Sequence, residues 1–141
     1  MGTILLATDG SEYARRAARE AIDLAEGHDA TLHVICVVDE RRFDDPALSS
    51  AELATIYAED HAVLSVDEVI GMAEDRPVTV EGDTRHGVPD EIILAYADEV
   101  DADTIVIGEH GDHEEHFSGI GRHVTDGTDR DVMIVEAHPQ S

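Results

Sequence analysis

Two stretches of the 141-residue sequence hold residue types at spacings that could do chemistry. The longer is VIGEHGDHEEHFSGIG, residues 106–121, in which Gly108 and Gly111 directly follow a run of strand-forming residues. Glycines in such a loop let backbone N–H groups come close to a phosphate, which is nucleotide-loop chemistry. The same stretch carries His110, His113 and His116, three apart, with Asp112, Glu114 and Glu115 among them. On a helix these imidazoles would share one broad face, within reach of a single metal ion. The flanking glycines work against a helix, and the competing reading is a polar, acidic loop that binds no metal. The shorter stretch, ATDGS, puts Asp9, Gly10 and Ser11 at the end of another apolar run. Asp9 and Ser11 are helix-capping types. As a nucleophile Ser11 is unsupported, because no histidine is placed to activate it and the surrounding residues do not form a nucleophile elbow. No catalytic residue is expected from either stretch.

Charge sets the setting for both. The formal net charge is -24, from 33 acids against nine arginines and no lysine. Such a chain repels nucleic acid and anionic membranes, so neither is an expected partner. It also repels itself in ordinary buffer. At about 1 M salt the screening length falls to about 3 Å and the surface becomes tolerable. Acids spread evenly along clearly periodic segments fit a folded protein of a salt-rich cytoplasm better than a disordered acidic tail. Individual carboxylates are therefore weak functional evidence. The lone Cys36, in the apolar run TLHVICVVD, excludes an intramolecular disulfide framework and fits a reducing cytosol as a small core residue. The first ten residues read as neither signal peptide nor membrane span.

The elements that must position these residues alternate between strand and helix. Residues 3–8 read as a buried strand. A helix follows with Ala14, Ala17, Ala18, Ala21, Ile22 and Ala25 at helical spacing, ended by Gly27. Residues 31–38 read as the second strand, and 50–75 as a longer helix closed by Pro77. Residues 78–82 read as the third strand. RHGVPDEI opens a helix with Pro89 in its first turn and Ile92, Ile93, Tyr96, Ala97 and Val100 as apolar positions. Residues 104–107 and 132–135 read as strands four and five. Gly119, Gly121 and Gly127 keep any helix between them short. Five fully apolar strands with helical crossovers predict one domain, residues 1–141: a doubly wound α/β fold with a five-stranded parallel sheet and helices on both faces. Ligands of such sheets bind beyond the carboxyl ends of the strands, where the strand order reverses.

In this order the segments resemble the universal stress protein family, in the style of a haloarchaeal-like member. ILLATDGSEYARRA resembles its opening strand, Asp-Gly-Ser turn and Ala-rich helix; LHVICVVDE resembles its second strand. DTRHGVPDEIILAYADEVDADTIVIGEHG resembles its helix, fourth strand and glycine loop, and DVMIVEA its closing strand. The resemblance implies a cytosolic stress-response protein, a homodimer through the last strand, and in some members an adenine-nucleotide site for ATP, ADP or AMP. It places Asp9 near the nucleoside and Val37 beside the adenine. Nucleotide-binding members resemble Gly-x-x-Gly, nine residues, then Gly-Ser or Gly-Thr and an apolar residue. Gly108 and Gly111 match the first half. The second half aligns in two registers: Gly121 followed by Arg122, or Ser118-Gly119 in reversed order with Ile120 as the apolar residue. The second register leaves the closing strand in place and the loop three residues short. With Asp112, Glu114 and Glu115 in the loop and no lysine, Arg122 is the nearest candidate cation for phosphate, and Mg²⁺ or K⁺ bridging would have to offset the acids. Regulatory nucleotide binding, or a degraded version of it, without dedicated catalysis is the expected function. Its rivals are a dimeric interaction module that binds no nucleotide and a slow Mg²⁺-dependent nucleotide hydrolase, for which no general base is placed.

Overall fold

A computed structural model describes residues 2–8, 12–39, 51–110 and 124–137. Its elements are β1 (Thr3–Ala7), α1 (Glu12–His28), β2 (Thr31–Asp39), α2 (Ala51–Met72), β3 (Val80–Gly87), α3 (Pro89–Val100), β4 (Thr104–His110) and β5 (Asp131–Ala137). The sheet has the order β3-β2-β1-β4-β5 and every described pairing is parallel. The chain winds outward from β1 to β3, crosses back, and continues on the other side of β1. The doubly wound parallel architecture read from the alternation of elements is therefore present, with its reversal between β1 and β4.

Each face of the sheet has its own core. Ile4, Leu6, Leu32, Val34, Cys36 and Val106 point toward α1 and α2, where they meet Ala17, Ala18, Ala21, Ile22, Val66 and Val69. Leu5, Ile35, Ile105 and Ile107 point the other way, against Ile93, Tyr96 and Ala97 of α3 and against Val124. Alternate residues of each strand serve opposite cores, as period-two geometry demands. Fully burying an aliphatic side chain of this size contributes about 1.5–3 kcal/mol. The alanine stripe of α1 is a packing device: small side chains let the helix axis come close to the strands beneath it.

Several boundaries differ from the sequence expectation, each for a physical reason. β3 runs 80–87 rather than 78–82, so Arg85-His86-Gly87 is strand and not the start of a helix. It is also not apolar. As one of the two edge strands of the described sheet it is only partly covered, so VEGDTRHG tolerates charge. Gly82 does not end it. A Cβ there would lie 3.2 Å from Ile70 Cδ1, and nearer still to Val66, so the glycine lets α2 sit down on the edge strand. α1 does not stop at Gly27 but continues to His28, with Asp29 in the left-handed region at φ 53°. The Ala30 N–H then donates to Ala25 O (2.8 Å) and the Asp29 N–H to Glu26 O (3.4 Å), which is the Schellman pattern. α2 ends at Met72, ahead of Pro77. β4 extends through His110, and β5 covers 131–137.

Candidate functional site

The register fixes what stands around the carboxyl end of β1. Ala7 lies opposite Ile35 of β2 on one side and Ile107 of β4 on the other. Gly108, the next residue along β4, and Val37, two residues further along β2, therefore flank the point where the chain leaves β1. Thr8 is buried there at 7 % exposure, and its N–H donates to Ile35 O (2.9 Å), locking β1 to β2 at the rim of the sheet. Two of the seven expected site residues are thus brought to one place. They face opposite ways: Val37 packs with the α3-side core, whereas a side chain at Gly108 would point into α1. Asp9, Gly111, Ser118, Gly119 and Ile120 lie outside the described residues, as do Ser11, Arg122, His113 and His116.

Gly108 belongs to β4 itself, paired with Val135 of β5, and not to the loop that follows. A Cβ on it would lie 2.7 Å from the Tyr13 carbonyl carbon and 3.0 Å from Ala14 Cα. The backbone of α1's first turn therefore rests directly on this glycine. The expected role, close approach of phosphate to bare backbone, meets a second cause: close approach of a helix. The two are compatible, because the contact presses the amino end of α1, the positive end of its dipole, against the carboxyl end of β4. Tyr13 was not singled out from the sequence, and Ala14 only as an apolar position of the helix. The signal for them was the alanine run from Ala14 to Ala25, which marks a helix that packs too close for larger residues.

The histidine reading changes as well. His110 is the last residue of β4, opposite Ala137, and so stands on a strand rather than a helix, while His113 and His116 lie outside the described residues. Among the described residues no group of three or more histidine, cysteine, aspartate or glutamate side chains could hold a metal ion. No described helix is long and apolar enough to cross a membrane.

Another electrostatic feature lies away from this rim, where β3 meets α3. Arg85 stacks over the Tyr96 ring at 4.7 Å, donates twice to Glu99 (3.0 and 3.3 Å) and once to Asp83 (3.0 Å). Burial pushes the Tyr96 phenol above its usual range; Asp83 adds to the rise and Arg85 opposes it. His33 meets the same ring edge-on at 6.2 Å. This cluster fastens α3 to the sheet and sits on the far side of β2 from the reversal.

The universal stress protein family model matches residues 1–136. The chain belongs to this family. It is 35 % identical over 109 residues to the universal stress protein MJ0531 of Methanocaldococcus jannaschii, an alignment covering 77 % of the chain. The chain spans 64 % of that relative's length, so it matches less than two thirds of it. Among solved universal stress proteins, one in complex with cAMP superposes with a TM-score of 0.73 at 23 % identity, over 99 % of this chain and 98 % of the other. One from Arabidopsis thaliana with AMP bound gives 0.75 at 12 % identity, over 99 % and 94 %. At these identities the likeness to the universal stress proteins of known structure is one of fold.

Proposed function

We propose that this universal stress protein binds an adenine nucleotide at the carboxyl ends of β1 and β4, as a regulatory ligand in the cytoplasm and without dedicated catalysis. The observation that carries this reading is the pairing of β1 with β4 at the reversal of strand order, with Gly108 pressing the amino end of α1 against the same rim. AMP and cAMP bound to two proteins of the same fold support the ligand class. Asp9 would meet the ribose, Val37 the base, and the Gly108–Gly111 and Ser118-Gly119-Ile120 segments the phosphate. Asp112, Glu114 and Glu115 make the far phosphates the least favourable part, so AMP and ADP should bind better than ATP, which would need Mg²⁺ to bridge. A homodimer through the outer edge of β5 would cover that edge, where Met133 is 37 % exposed.

A second reading is a dimeric interaction module with no nucleotide. It is favoured by Gly108, whose missing side chain is already accounted for by α1. Purification in multimolar KCl with Mg²⁺, followed by chromatography of the denatured protein's small molecules, separates the two. Adenine nucleotide near one per chain, lost in Asp9→Ala, supports the site. Its absence, together with no binding of added AMP, supports the module, and turnover of bound ATP would instead point to a hydrolase.

A further inference from the structure

Arginine is scarce in this chain, nine against 33 acids, so an arginine without a carboxylate is the exception. Among the described residues Arg15, Arg76, Arg85 and Arg130 each reach a carboxylate within 3.0 Å. Arg16 and Arg19 reach none. They stand three apart on the exposed face of α1, opposite its alanine stripe, and are neighbours there. Asp23, one turn beyond Arg19, is held by Arg76. α2 lies beside α1 on the same face of the sheet, and the Arg15–Glu68 bridge (3.0 Å) joins the two helices across their seam. One turn before Glu68, Leu64 is 67 % exposed and Val63 48 %, the most exposed large apolar side chains among the described residues. Asp60 and Asp67 bracket Leu64 on that exposed surface, and among the described residues neither reaches a cation.

The α1–α2 surface thus has two halves: free cations on α1, and an apolar centre with free carboxylates around it on α2. Each half supplies what the other lacks, but both face outward from one layer and do not meet within the chain. A second copy, related by a twofold axis normal to this face, lays its α2 over the first α1 and its α1 over the first α2. We infer that the outer face of α1 and α2 pairs with the same face of a second copy, Arg16 and Arg19 of one chain meeting Asp60 and Asp67 of the other around Leu64. α1, at 17 residues, is about 25 Å long, and two helices side by side are about 20 Å wide, so the face holds roughly 500 Å² per chain. That is the size of a weak, reversible contact. It leaves the outer edge of β5 free, and it does not rest on the nucleotide reading.

Sedimentation equilibrium of the full chain across the micromolar to millimolar range tests this, in multimolar KCl so that only contacts of a few ångströms escape screening. The wild-type mass should rise with concentration. Leu64→Glu, at an exposed position, should weaken that association at least about tenfold and leave the unfolding midpoint unchanged. Charge reversal separates a second copy from any other cause. A chain with Arg16→Asp and Arg19→Asp, and a chain with Asp60→Arg and Asp67→Arg, should each associate less than wild type. Mixed in equal amounts they should regain the association, and lose it again when both also carry Leu64→Glu. The β5 edge is the same in all these chains, so pairing there leaves the differences between them untouched. A mixture no more associated than its separate components overturns the inference, as does a wild-type mass that Leu64→Glu leaves unchanged.

Discussion

The two ends of the sheet solve the same problem, joining helix to parallel strand, by different means. At the amino ends of the strands the joints are closed by the chain's own hydrogen bonds. α1 passes to β2 through Asp29-Ala30, and α3 to β4 through Asp101-Ala102. Both aspartates sit at φ 53°, and the alanines are buried at 7 % and 0 %. Ala102 N–H reaches back to Ala97 O (2.9 Å), as Ala30 does to Ala25. Asp103 completes the joint: its carboxylate accepts from the Thr3 N–H (2.8 Å) while its own N–H donates to Thr3 O (2.8 Å). At the carboxyl ends the described joints rely on missing side chains instead. Gly108 admits the first turn of α1, and Gly87, at φ 143°, turns β3 into α3 beneath Ile92. Among the described residues, one end closes its joints by hydrogen bonds; the other brings a helix amino end to its rim through a glycine.

The largest expected effect breaks the carboxyl end. Gly108→Val should cost about 3 kcal/mol or more, since the side chain meets backbone that can move only with all of α1. Urea unfolding checks the loss, and Gly108→Ala should show a smaller version of it. Either substitution should also abolish nucleotide binding. At the amino end Asp103→Ala should cost about 1 kcal/mol, one charged acceptor at a strand start. Asp29→Gly should be neutral or raise stability by about 0.5 kcal/mol, because glycine relieves the left-handed strain while adding backbone entropy to the unfolded chain. Opposite signs for adding a side chain at Gly108 and removing one at Asp29 would sharpen the contrast between a glycine kept for space and an aspartate kept despite its φ.

Tyr96 supplies a test outside both ends. Its folded pKa lies above the unfolded value of about 10, so its neutral form contributes stability below that pH, which is lost as pH rises through the folded value. The urea midpoint should fall on that alkaline limb, and Tyr96→Phe should flatten it. The smallest expected effect is at the histidines: replacing His113 and His116 with alanine should leave AMP affinity and metal content unchanged.

The fold was legible because its determinants are local. Alternating apolar runs, the alanine stripe of α1 and Pro89 at the start of α3 each dictate one element, and right-handed crossovers leave few ways to assemble them. β3 was misjudged because an edge strand needs no apolar run; its length is set by pairing with β2 through Asp39↔Gly87. The end of α1 was misjudged because aspartate took the left-handed position that glycine usually fills. Gly108 was singled out for a phosphate, whereas the neighbour it meets, Tyr13, is 95 residues away in sequence and only the packing of α1 reveals it. The loop residues Asp9, Gly111, Ser118, Gly119 and Ile120 rest on the resemblance alone.

Calorimetric titration of the purified chain with AMP and then ATP, in multimolar KCl with and without Mg²⁺, addresses the proposed site most directly. AMP should saturate at one site per chain, bind more tightly than ATP, and lose its heat in Asp9→Ala with the unfolding midpoint unchanged. No saturable heat from AMP or ADP, or tight ATP binding without any divalent ion, would contradict a nucleotide site whose phosphate end has been shortened and acidified.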